Sequence, residues 1–158
     1  MDNKQPSRRD FVKQSSLLAG GLIAAPFISS ATNYFSGADS VIKIALVGCG
    51  GRGTGAAMQA MLSKQNVKLV AMADAFRDRL DSCYKQLNSD DISDWSGVKG
   101  NIKDKIDVPE ERKFTGFDAY AKAIALADVV ILTTPPGFRP IHFEEAVKQG
   151  KHIFMEKP

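Results

Sequence analysis

From residue 41 onward, short apolar runs alternate with stretches in which apolar side chains recur every three or four positions. Residues 41–47 (VIKIALV) are β-branched and nearly continuous and stop at Gly48, the pattern of a parallel strand buried on both faces. Residues 56–62 follow as a helix, with Met58, Met61 and Leu62 available to one face. A second strand is expected over 67–73, and helical spacing returns over 77–87 through Leu80, Tyr84 and Leu87. Between residues 88 and 108 the pattern stops. Asp, Ser, Gly and Lys dominate there and Trp95 alone carries large apolar area, so this stretch reads as a long loop with one short helical turn. The alternation then resumes with an edge strand over 113–115, a helix over 117–126 and a strand over 128–133. A helix over 140–149, closed by Gly150, and a strand over 152–155 complete it. Strands and helices alternating at these lengths need right-handed crossovers, which predicts an α/β fold built on a doubly wound parallel sheet.

Composition narrows the picture without changing it. The chain has 158 residues, 44% hydrophobic and 25% charged, with 13 Gly, 7 Pro and 2 Cys, which excludes collagen-like, disulfide-framework and wholly disordered chains. The net charge of +3 does not mark a nucleic-acid binder. Residues 1–31 hold Lys4, Arg8, Arg9 and Lys13 against Asp2 and Asp10, and the remaining 17 basic and 16 acidic residues are interspersed. Cys49 in a glycine loop and Cys83 in a helix read as small buried or half-buried residues rather than a disulfide.

Residues 1–31 differ from everything after them. Ser7-Arg8-Arg9-Asp10-Phe11-Val12-Lys13 precedes an uncharged apolar run over 15–28 that contains Gly20 and Gly21. Fourteen helical residues span about 21 Å, short of the roughly 30 Å hydrocarbon core, so no stable membrane span is expected. A charged region, a short apolar region and then small residues (Ser29-Ser30-Ala31) is the layout of a signal peptide, and the paired arginines resemble the twin-arginine export consensus. This reading makes the twin-arginine translocase a partner during export, places the mature protein in the periplasm or another extracytoplasmic space, and leaves residues 32–40 as a linker to a folded body over 41–158. Because that route carries folded proteins, it also points to a tightly held cofactor.

The candidate chemistry begins where the first strand ends. Gly48-Cys49-Gly50-Gly51-Arg52-Gly53 matches G-x-G-x-x-G between a buried strand and a helix, and Asp74 stands 21 residues after Gly53 at the end of the second strand. Gly48 permits the tight turn, Gly50 lets the backbone approach a pyrophosphate, Gly53 lets the helix pack against the sheet, and the N-terminus of the helix that follows favours the anion; Gly51 and Arg52 of the same loop are expected to bind the cofactor with them. Asp74 is placed to accept hydrogen bonds from an adenosine ribose, which argues for NAD; Arg77 and Arg79 follow closely enough to neutralise a 2′-phosphate, so NADP stays open. Thr133-Thr134-Pro135-Pro136-Gly137-Phe138-Arg139-Pro140 leaves the fourth strand at its carboxyl end, where ligands bind in such sheets.

Residues 145–158 (EAVKQGKHIFMEKP) resemble a signature of the Gfo/Idh/MocA oxidoreductases, the glucose-fructose oxidoreductase and inositol dehydrogenase family. The likeness runs over 41–158 and includes the glycine loop, Asp74, the Thr134-Pro135-Pro136 loop and Glu156-Lys157-Pro158; twin-arginine leaders also occur in this family. It implies a Rossmann domain followed by a larger α/β domain with an open antiparallel sheet. Thr134 and Pro135 then belong to the cofactor loop, Glu156 contacts the nicotinamide side, Lys157 lies near the nicotinamide and the substrate hydroxyl, and Pro158 is often cis. An amine there can polarise a hydroxyl, or the carbonyl formed from it, and help shuttle its proton. The implied activity is an exported NAD(P)-dependent oxidoreductase acting on a sugar or polyol, homo-oligomeric at full length. A glycosidase that oxidises and re-reduces its sugar, and a non-catalytic nucleotide-binding module, are the alternatives. Relatives often carry histidine after the fourth strand where this chain has Gly137 and Arg139; an arginine there could take a carboxylate or phosphate. His142 is expected as a satisfied helix residue and His152 as packing at the start of its strand. The family's substrate domain has no counterpart here, so the chain reads as an N-terminal fragment, inactive alone.

Overall fold

A computed structural model describes residues 40–90 and 100–157. The expected leader, most of the linker, Trp95 and Pro158 lie outside the described residues. The strands are β1 (Ile42–Val47), β2 (Val67–Asp74), β3 (Lys113–Thr115), β4 (Val129–Leu132) and β5 (His152–Met155), all parallel, in the spatial order β3-β2-β1-β4-β5. The helices are α1 (Gly51–Leu62), α2 (Arg77–Leu87), α3 (Ala119–Ala125) and α4 (Arg139–Lys148). This is the doubly wound Rossmann arrangement, and its strand order reverses between β1 and β4, which opens a crevice at their carboxyl ends.

Period-2 alternation divides the sheet into two apolar layers. Ile44 and Leu46 of β1 face one layer with Leu69, Met72, Met61, Leu80 and Leu87, beneath α1 and α2. Ala45 and Val47 face the other with Ala71, Ala73, Val130 and Leu132, beneath α3 and α4. The β1–β2 register shifts between Ile44 and Ala45, which pair with Leu69 and Ala71. Val70 is the extra residue, and this bulge explains why Val70 and Ala71 sit in the same layer. Each large core side chain sealed this way contributes about 1.5–3 kcal/mol.

The long connection departs from the expected loop. Its described part makes two 3-10 turns, Lys103–Lys105 and Glu110–Arg112, and buries Ile102 and Val108 in the α1/α2 layer, so it adds to the core where a polar loop was expected. Lys105 Nζ donates to the carbonyls of Met61, Ser63 and Gln65 at 2.7, 2.9 and 3.2 Å, placing a cation on the orphan carbonyls at the end of α1. Helix α1 itself starts at Gly51, five residues before the periodic apolar positions begin, because its first turn is glycine-rich and contributes no apolar signal. Helix α3 is shorter than expected, with Phe117 and Asp118 in a turn before it.

Candidate functional site

At the carboxyl edge of β1 the chain turns through Gly48, whose φ is +98°. A Cβ there would sit 2.9 Å from the Thr134 amide nitrogen, and a Cβ on Gly53 would land on the Gly48 carbonyl oxygen, so both positions require glycine. Thr133 Oγ1 donates to that same carbonyl at 2.7 Å, which ties the β4 loop to the turn. Gly50, by contrast, faces open space, as does Gly51. The first turn of α1 carries no acidic residue, and its leading amides, including those of Gly51, Arg52 and Gly53, have no partners within the helix. An anion approaching Gly50 therefore meets free donors and the positive end of a twelve-residue helix.

Asp74 closes the next side. Its Oδ2 accepts the Cys49 amide at 2.6 Å and its Oδ1 the Phe76 amide at 2.9 Å, so one carboxylate joins the glycine loop to the end of β2. Each oxygen keeps a further lone pair for a ligand hydroxyl. Cys49 points away into the core, where its Sγ donates to Ala73 O at 3.6 Å. A hydrogen bond with Cys83, then burial, push its thiol well above the ordinary range, and both cysteines are free and buried.

These residues bound a cavity of about 570 Å³. Gly48, Gly50, Asp74, Thr134 and Pro135 line it, with Arg79, Phe76, Phe117, Tyr120, Phe138, Arg139 and His142. Gly51, Arg52, Gly53, Glu156 and Lys157 lie outside that lining. The aromatic wall was not legible beforehand: Phe76 comes from a strand-to-helix turn with no periodic pattern, Phe117 was expected to open a helix and stands in the turn before it, and the Phe117 and Phe138 rings lie 6.1 Å apart. Of the two arginines after Asp74, Arg77 is engaged by Asp81 and Glu110 on the surface, and only Arg79 reaches the cavity.

The far side is built by long polar side chains. Arg139, 8% exposed, donates from Nε and Nη2 to Thr134 O at 3.1 and 2.7 Å and from Nη1 to Glu156 O at 2.5 Å. The arginine offered to a substrate carboxylate or phosphate thus holds two loop carbonyls. His142 is buried, stacks on Tyr120 with centroids 4.3 Å apart, and shares a 2.9 Å hydrogen bond between its Nδ1 and Thr134 Oγ1. Burial lowers its pKa below the ordinary imidazole value, so it stays neutral near pH 7. His152, expected to pack, is exposed, because β5 is the edge of the described sheet. Glu156 is brought to the glycine loop by its ion pair with Arg52 at 2.5 Å, and Lys157 follows it, exposed and with no ion-pair partner among the described residues.

A family model described as an oxidoreductase family with an NAD-binding Rossmann fold, Gfo/Idh/MocA, matches residues 42–158. The chain belongs to the Gfo/Idh/MocA oxidoreductase family. Among solved structures it is similar to scyllo-inositol dehydrogenase from Lactobacillus casei with bound NAD(H) and scyllo-inositol, at 28% identity and a TM-score of 0.53. The match covers 75% of this chain and 28% of that one. An apo form of the same dehydrogenase matches at 26% identity and a TM-score of 0.54, over 75% of this chain and 29% of that one. No curated protein matches the chain. Family membership and site geometry agree: an open glycine cradle at a helix N-terminus, a carboxylate at the end of β2 and an aromatic-lined cavity fit NAD, and this is the family's NAD-binding domain. Among the described residues no cluster of His, Cys, Asp or Glu could hold a metal ion, and no helix is long and apolar enough to cross a membrane.

Proposed function

We propose that the chain is the cofactor-binding part of an exported NAD(P)-dependent oxidoreductase that moves hydride between a nicotinamide cofactor and the hydroxyl-bearing carbon of a polyol or sugar. One observation carries this reading: β5 delivers Glu156 and Lys157 to the sheet end that holds the glycine loop, with Glu156 tied to Arg52 of that loop. Family membership and the scyllo-inositol dehydrogenase neighbour support the polyol. Bound nicotinamide supplies the hydride acceptor. Lys157 Nζ polarises the substrate hydroxyl and relays its proton. Asp74 selects the unphosphorylated ribose, hence NAD over NADP. The Ser7–Lys13 stretch (SRRDFVK) supports export through the twin-arginine translocase, and the complete protein is expected to be a homo-oligomer.

The test uses the product of the complete reading frame with NAD⁺ and a panel of polyols and sugars that includes scyllo-inositol, followed by NADH absorbance. Lys157→Ala should lower kcat about 10²- to 10³-fold while NADH affinity stays within about threefold. Unchanged turnover in that variant refutes the role of Lys157. Release of an aglycone without net NADH would establish the glycosidase instead, and failure of every panel member with intact NADH binding would favour a nucleotide-binding module. For export, Arg8→Lys with Arg9→Lys should retain the protein in the cytoplasm; unimpeded export overturns the leader reading.

A further inference from the structure

Arg139 occupies an unfavourable place. It is the first residue of α4, where the helix dipole opposes a cation, and it is 8% exposed, where an arginine needs a counter-charge. Yet all three hydrogen bonds of its guanidinium go to backbone carbonyls, and it forms no ion pair among the described residues. It belongs to neither apolar layer. What it joins is specific. Thr134 O lies in the loop that leaves β4, and Glu156 O is the carbonyl of the peptide bond that leads into Lys157. The planar guanidinium spans both with fixed geometry, which one ammonium cannot do. Two other ties reach Glu156: its amide donates to Leu132 O at 3.2 Å, extending the β4–β5 ladder by one residue, and its carboxylate pairs with Arg52, whose side chain is half exposed. The sheet holds the Glu156 amide, and the buried arginine holds its carbonyl, the side of the residue from which Lys157 leaves.

We propose that Arg139 is the positioning residue for Lys157: it locks the Glu156–Lys157 peptide against the Thr134 loop and touches neither substrate nor the reacting atoms. This inference rests on the proposed function, in which Lys157 relays the substrate proton.

The experiment takes the complete protein as wild type, Arg139→Ala, Arg139→Lys and Lys157→Ala, with the polyol of highest turnover in the panel. Arg139→Ala should lower kcat about 100-fold, the scale of a misplacement near 1 Å, with NADH affinity within about threefold. Millimolar guanidinium chloride should restore part of that kcat and leave Lys157→Ala unchanged. Arg139→Lys should fall between, near a tenfold loss, and serves if the alanine variant does not fold. Hydrogen exchange should rise over residues 133–137 and 153–157 in both Arg139 variants, a readout that needs no substrate. Unchanged exchange there refutes the clamp. Wild-type kcat in an Arg139 variant, or a loss that guanidinium leaves untouched, refutes the positioning role. Full turnover in Lys157→Ala refutes the reading beneath it while exchange still reports on the clamp.

Discussion

The two flanks of the crevice are made by opposite means. Around β1 the site exists because side chains are missing: Gly48 and Gly53 leave room for backbone to meet backbone, and Gly50 leaves room for a ligand. Around β4 and β5 it exists because long side chains are added: Arg139 and Arg52 reach across to hold Glu156. The strands differ in the same way, β1 sealed over its last four residues and β5 exposed along most of its length. A flank defined by exclusion has no intermediate state between fitting and failing. A flank held by hydrogen bonds and charge degrades in steps and responds to conditions.

The largest effect should follow from breaking the first flank. Gly53→Ala should cost about 3 kcal/mol in urea unfolding and abolish NADH binding, since the new methyl would collide with the Gly48 carbonyl and with the Thr133 hydroxyl that bonds to it. Leu46→Ala, fully buried beside that turn, should cost a similar amount, about 3 kcal/mol, but leave NADH affinity nearly intact, separating cradle geometry from core stability. Asp74→Asn should weaken NADH binding at least about tenfold and narrow the preference over NADPH in the same titration, because a neutral amide no longer repels a 2′-phosphate.

The second flank should show a pH response. His142 has a folded pKa below the ordinary 6.5, so the unfolded chain binds the extra proton more readily. Its contribution to stability is complete above pH 6.5, declines as pH falls through that value and levels off below the folded pKa. Thermal unfolding at pH 7.5 and 5.5 should show a decrease that is smaller in His142→Gln. The smallest effect belongs to the edge: Phe154, half exposed on β5, should change stability by less than about 0.5 kcal/mol when replaced by Ser.

How much of this was legible depended on whether the signal was local. The bounds of β3 and β5 and the parallel sheet followed from the alternation of strand and helix segments and their spacing, and the glycine loop followed from types that only a tight turn requires. Helix α1 was legible only from Ala56, because Gly51 to Gly55 form helix through packing on the sheet rather than propensity. Ile102 and Val108 were hidden because two isolated apolar residues in a polar stretch make no period. Lys157 and Glu156 were visible as a motif, but the bond from Arg139 was not. Its partner is a backbone carbonyl 17 residues away, and a carbonyl has no letter in the sequence.

The two hydrogen bonds that backbone amides donate to Asp74 carry a consequence for how fast and with what heat the nucleotide is taken up. With Cys49 and Phe76 already held by one carboxylate, the loop does not have to be ordered by its ligand. Association should therefore be a single encounter-limited phase in stopped flow, and titration calorimetry should show no folding-sized heat-capacity change.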